Sequence, residues 1–226
     1  MNSPRLVLFD LDDTIADTSG TILKLAERSA TEALIAHGLQ TNFDEAWAAL
    51  RRIRSADPGA RFLEDLVAQF GAPDPVACHD AARRVFFASR PEEIGLVPGA
   101  LEVLDELRAR GIPLILVTFG VPEAQSRKVE VLGIRDRFEA VHIVPLDEGP
   151  DKTAVFAEIV DGNGCAPADV WVVGDRPPGE VKSGNLLGLT TIRVRRGEFA
   201  TLDPASTDEE PDVTIDDLRK LTALLP

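Results

Sequence analysis

The stretch LVLFDLDDT, residues 6–14, decides the fold. Its first four residues, Leu6 to Phe9, are wholly apolar and β-favouring, which marks a short strand buried on both faces. The acids begin where that run stops. If the chain stays extended for two more residues, Asp10 and Asp12 project to one side, because strand side chains alternate. Asp13 then turns away and takes a structural place at the turn. Two carboxylates facing one small volume repel unless a cation neutralises one or a proton occupies the other, and both outcomes serve catalysis. A helix N-cap cluster at Asp12 to Thr14 is the plainer alternative for the same residues.

Working outward, further buried strands are predicted at Leu114 to Val117, Ala140 to Val144, Val170 to Val173 and Thr190 to Val194, with a fainter one at Val213 to Ile215. From Gly99 onward they alternate with helical patterns at Gly99 to Arg110, Pro122 to Leu132, Lys152 to Val160, Gly179 to Leu187 and Asp216 to Leu225. That alternation predicts an α/β fold: a Rossmann-like parallel sheet with helices on both faces. Between the first two strands, from about Asp17 to Ile94, apolar residues recur only at helical spacing. Four helices are expected there, around Leu23 to Leu34, Phe43 to Leu50, Phe62 to Phe70 and Val76 to Ser89, punctuated by Pro58-Gly59, Gly71 to Pro75 and Pro91. A right-handed crossover needs only about a dozen residues. The long connection is therefore assigned to a separate helical domain, residues 17–94, inserted into a core made of 1–16 and 95–226. Such an insertion is expected over the carboxyl edge of the sheet, where open α/β sheets place their ligand crevice.

Composition narrows the function. The chain has 226 residues, 44% hydrophobic and 27% charged, enough for a sizeable core. Thirty-eight acidic residues against 24 basic ones give a formal charge of −14, which repels nucleic acid and anionic membranes. The apolar run Pro113 to Val117 is no longer than a strand, so no membrane span or export signal is expected. Cys78 and Cys165 lie outside any CxxC spacing, which argues against a disulfide framework or zinc site and for a reducing cytoplasm.

Three more groups fall at strand ends. Thr118 is followed by Phe119-Gly120, whose backbone N–H groups can meet an anion at the next helix start. Lys152 opens a helix, where a lysine is disfavoured by the dipole and so implies an anionic neighbour. Gly174-Asp175 ends Val170 to Val173, and Glu180 follows five residues after Asp175; with Asp10 they make an oxygen-rich site of the kind that holds Mg²⁺.

At these residues the chain resembles the haloacid dehalogenase-like (HAD) hydrolase superfamily with a type-one helical cap. DLDDT at 10–14 matches the first signature, VTFG with Thr118 the second, DKT with Lys152 the third, and VVGDRPPGE with Asp175 and Glu180 the fourth. Phe119 stands where many relatives have Asn, and Glu180 where Asp is commoner. The resemblance implies that Asp10 is a nucleophile forming an aspartyl phosphate and that Asp12 is the general acid and base. It implies Mg²⁺ on Asp10, the backbone carbonyl of Asp12 and Asp175, with Glu180 behind them. Thr118, the N–H of Phe119 and Lys152 would hold the phosphoryl oxygens. Because a halide leaves without a proton and an alkoxide does not, Asp12 favours phosphate-ester hydrolysis over dehalogenation.

The expected activity is Mg²⁺-dependent hydrolysis of a small-molecule phosphate monoester in the cytoplasm, without nucleic-acid or membrane partners. A phosphomutase of the same family is the main rival. A phospho-aspartate signalling receiver fits less well, since its acid lies on a middle strand of a shorter chain, and a non-catalytic binding protein would carry its acids as a liability. Substrate contacts are expected from the inserted helices and their connections, near Thr14 to Ser19 and Arg90 to Pro98. Arg176 is expected to pair with a neighbouring acid, an approach to substrate phosphate being the alternative, Asp208 to Asp212 to form a solvated loop, and Cys78 and His79 to bind no metal.

Overall fold

The computed structural model describes residues 3–57, 61–88, 91–145 and 151–226. Pro58-Gly59, Ser89 and Arg90, where a helix break, a helix end and a connection are expected, lie outside the described residues. The chain divides into two compact units, one of Met1–Ser19 with Ile94–Pro226 and the other Gly20–Glu93.

The first unit is built on a six-stranded sheet: β1 (Leu6–Phe9), β2 (Leu114–Phe119), β3 (Ala140–Val144), β4 (Val170–Gly174), β5 (Thr190–Val194) and β6 (Val213–Ile215). The order is β3-β2-β1-β4-β5-β6 and every pairing is parallel. All six lie where the apolar runs place them. β1 pairs with β2 on one side and β4 on the other, Phe9 standing opposite both Leu116 and Val173. The chain order reverses at β1, and at such a switch point open α/β sheets place their ligand sites, at the carboxyl edge.

Alternation splits the strand residues between two faces. Leu6, Leu8, Ile115, Val117, Val170 and Val172 pack on Phe156, Ile159 and Val160 of the helix Lys152–Gly162. Their neighbours Val7, Phe9, Leu116, Trp171 and Val173 point to the opposite face and are equally buried. Helices therefore cover both sides of the sheet. The helix Ala100–Ala109 packs beside a closing 3₁₀ helix, Leu218–Leu224. An α-helix is expected there from Asp216 to Leu225; instead Leu218 and Leu221, three residues apart, are both buried, and a turn of three residues aligns them. The helix expected over Gly179 to Leu187 is likewise divided, into a π-helical turn at Pro177–Val181 and a short helix, Lys182–Leu186. Pro177 and Pro178 stand at the first two positions of that turn, where a missing N–H costs no helical hydrogen bond.

In the second unit, helices Leu23–Ala36, Phe43–Ala56, Phe62–Phe70 and Pro75–Phe87 enclose a core around Leu34, Leu50, Leu66 and Cys78. The Asn42 side chain accepts the Glu45 N–H and that of Asp74 accepts the Ala77 N–H, which satisfies free donors at two helix starts. A short helix at Thr18–Thr21 precedes them. The two connections run side by side within the first unit: Ala16 bridges Leu96 antiparallel, and the Asp17 N–H donates to the Gly95 carbonyl at 2.8 Å.

Candidate active site

The parallel register sets the site. Asp10 is one residue past Phe9, Thr118 two past Leu116 and Asp175 two past Val173, so all three reach the same sheet edge. The Asp10 N–H donates to the Val173 carbonyl at 2.9 Å, which carries the extended backbone through the first acid. The chain then turns: the Leu11 carbonyl accepts the N–H groups of Ile15 and Ala16, and Asp13 adopts φ 55°. The left-handed region is open to Asp more readily than to most residues with a side chain.

Lys152 is the hub. Its ammonium is buried, donates to Asp10 Oδ1 at 2.6 Å and pairs with Glu180. The anionic neighbour implied by a lysine at a helix start is thus a pair of them. Burial opposes the Lys152 charge, but Asp10 and Glu180 outweigh it and hold the ammonium well above its usual range. Glu180, with one methylene more than the commoner Asp, lies flat against Gly174: a Cβ there would stand 2.5 Å from Glu180 Cγ. Its other oxygen accepts the Arg176 N–H at 3.3 Å.

Asp10 and Asp12 occupy contrasting surroundings. Burial pushes Asp10 up to about 7; Lys152 pulls it down while Glu180 and Asp12 push it further up. Asp175 is raised well above the carboxylate range by burial, then by Glu180 and Asp10. At Asp12 burial also acts upward, but Lys128 and the hydrogen bonds of Lys128, Thr18 and Gln125 prevail and lower it. Three buried carboxylates, Asp10, Asp175 and Glu180, thus face one buried ammonium, and a divalent cation would neutralise the excess. Among the described residues no three His, Cys, Asp or Glu side chains form a metal cage. Two carboxylates and a carbonyl fit a cation that keeps several waters, as Mg²⁺ does.

Thr118 is fully buried and its Oγ1 accepts from Gln125 Nε2 at 2.6 Å, which leaves the hydroxyl proton to donate elsewhere. The Phe119 ring is 43% exposed and has no polar group to offer. Arg176 departs from the expected ion pair: its guanidinium lies 4.9 Å over the Phe199 ring. The acidic stretch is solvated at Asp208, Glu210 and Asp212, as expected, and departs from that at Glu209. Glu209 is buried and accepts the Ala205 N–H, and Asp212 accepts the Thr191 N–H at 2.8 Å, tying the segment to β5.

Further neighbours of these side chains escape the sequence pattern. Gln125 and Lys128 reach Asp12 from the helix Pro122–Val131; the available signal is Gln125 on the same face as the buried Val129, a polar residue on an apolar stripe. Arg193, an arginine inside a buried strand, donates to the carbonyls of Asp175, Phe199 and Leu202. Ser19 and the Glu198 N–H hold the Asp13 carboxylate, and Gly197 leaves room for it, since a Cβ there would collide with Asp13 Cγ.

Fold and site together are those of an α/β enzyme with an aspartate-centred cluster at the switch point of its sheet. The chain belongs to the haloacid dehalogenase-like hydrolase family, whose model matches residues 4–188. It is 31% identical to the glyceraldehyde 3-phosphate phosphatase of Methanopyrus kandleri, over 96% of this chain and 95% of the relative. It is 29% identical to the phosphoserine phosphatase of Thermus thermophilus, over 96% and 97% of the two chains. Among solved structures, the HAD-hydrolase YfnB from Bacillus subtilis, bound to magnesium, superposes with a TM-score of 0.71 at 20% identity over 99% of both chains. Among the described residues, no helix is long and apolar enough to cross a membrane.

Proposed function

We propose that this chain is a Mg²⁺-dependent phosphatase that hydrolyses a small-molecule phosphate monoester through an aspartyl phosphate on Asp10. The observation that carries this is the contrast between two carboxylates two residues apart: Asp10 faces Lys152 and the buried acids, whereas Asp12 is turned to donors of its own. Pairs of acids in opposed environments divide nucleophile from proton carrier.

Asp10, Asp175 and the Asp12 carbonyl would hold Mg²⁺, which when bound withdraws charge from the phosphoryl oxygens. Asp10 attacks phosphorus. Lys152 and the Thr118 hydroxyl donate to the transferring oxygens, and Phe119 contributes only its backbone N–H. Lys128 favours the carboxylate of Asp12 in the resting site; an arriving phosphate dianion acts the other way and favours the carboxylic form. That form protonates the leaving alkoxide, and the carboxylate so produced takes a proton from the water that hydrolyses the aspartyl phosphate.

We assign the helical unit Gly20–Glu93 the part of a substrate-selecting cap, on the strength of its insertion between β1 and β2 through paired connections. The names of the relatives put glyceraldehyde 3-phosphate and phosphoserine at the head of the substrate panel. Cys78 and Cys165 are both free thiols, which suits a reducing cytoplasm. The test is turnover of phosphorylated metabolites with Mg²⁺ supplied and then chelated, in wild type and Asp10→Asn. Turnover should vanish on chelation and in the variant; turnover that survives both overturns the proposal.

A further inference from the structure

Asp12 is held from three directions. Its Oδ1 accepts from Lys128 Nζ at 2.6 Å and from the Thr18 hydroxyl, and its Oδ2 accepts from Gln125 Nε2 at 2.8 Å. Gln125 is 2% exposed, and the same amide nitrogen lies 2.6 Å from Thr118 Oγ1 and 3.1 Å from the Phe119 carbonyl. A carboxylate and a carbonyl accept only, so the amide must present its nitrogen to them, and its orientation is fixed. Both residues stand on the helix Pro122–Val131, three positions apart and hence on one face. That helix follows β2 directly, so one rigid element presents two donors to the proton carrier and one to the phosphate-side hydroxyl of Thr118.

A carboxylate has about four lone-pair sites. Two on Oδ1 and one on Oδ2 are taken, which leaves one open site, on Oδ2, for proton exchange. We propose that Lys128 and Gln125 are positioning residues that clamp the Asp12 carboxylate, so that the proton passes to the leaving group and from water through that single open site. The inference rests on the phosphatase assignment and adds to it two residues outside the four signatures.

A clamp on the general acid has a signature that a merely structural role lacks. Nitrophenolate leaves without help, whereas an alkoxide needs the proton, so mispositioning Asp12 selectively slows cleavage of alkyl esters. The experiment measures kcat/KM of the Mg²⁺-loaded full chain on glycerol 1-phosphate and on p-nitrophenyl phosphate, for wild type, Lys128→Met, Gln125→Met and Lys128→Arg. Either methionine variant should lower the value for the alkyl ester about tenfold or more beyond any loss on the aryl ester. Lys128→Arg, which restores a charged donor, should recover most of it. The two methionine variants remove separate contacts, so if one fails to fold the other still reports, and thermal melts identify which is folded. Equal losses on the two esters, or no loss, with an active wild type overturn the clamp and leave the phosphatase assignment standing. A wild type inactive on both esters and on glyceraldehyde 3-phosphate and phosphoserine overturns both.

Discussion

Stripped of divalent cation, the site holds Asp10, Asp175 and Glu180 against Lys152 alone, and that imbalance should be measurable as a pH-dependent loss of stability. Asp10 is raised from 3.8 to about 7 in the folded protein, chiefly by burial. Between those values the native state binds more protons than the unfolded chain, so stability falls as pH rises. The contribution is fully present below about pH 4 and lost as pH passes 7. Lys152 is shifted in the other sense of charge: its raised value keeps it ionised throughout this window, and its contribution is constant there. At about 1.4 kcal/mol per pH unit, the Asp10 shift amounts to at most about 4 kcal/mol, and for a chain of this size that is about 10 °C in Tm. The assay is calorimetric melting in chelator from pH 5 to pH 8, for wild type and Asp10→Asn. Wild type should lose stability across the range with a steeper slope than the variant, and the variant should be the more stable at pH 8. Mg²⁺ should recover more stability at pH 8 than at pH 5, because protons compete for its ligands. Identical slopes for the two proteins, or a Mg²⁺ effect independent of pH, would refute the electrostatic reasoning.

Lys152→Met should abolish turnover and destabilise the metal-free protein by about 3 kcal/mol, read by denaturant titration, because three buried acids lose their cation. Gly174→Ala drives a methyl group into Glu180 Cγ and should cost about 1–3 kcal/mol while lowering turnover, since Glu180 must leave Lys152. Arg193→Met leaves the carbonyls of Asp175, Phe199 and Leu202 without their shared donor; a loss of about 3 kcal/mol and weaker Mg²⁺ binding by calorimetry are expected.

Much of this site was legible because a parallel sheet converts sequence position into spatial position. Asp10, Thr118 and Asp175 each follow a buried apolar run, and any residue that does so lands on one edge. Lys152 was legible for a different reason, the electrostatic conflict of a lysine at a helix start, which Asp10 and Glu180 resolve. Gln125, Lys128 and Arg193 were not, because their partners lie on other elements and no local pattern states which way a helix faces. The same limit explains the 3₁₀ turn at Leu218–Leu224, where packing overrode the α-helical period, and Glu209, whose acidic neighbours suggest solvent although it is buried. Arg176 lies over the Phe199 ring, a partner 23 residues away that no local pattern announces.

The most direct test is to find where the phosphoryl group goes. Mg²⁺-loaded protein is mixed with excess substrate, quenched in acid within a turnover and digested for peptide mass spectrometry. One acid-stable, base-labile phosphoryl group on the peptide containing Asp10, absent from Asp10→Asn, is the expected result. A turning-over enzyme quenched at every time point with no such adduct, or with the adduct on another residue, would contradict it.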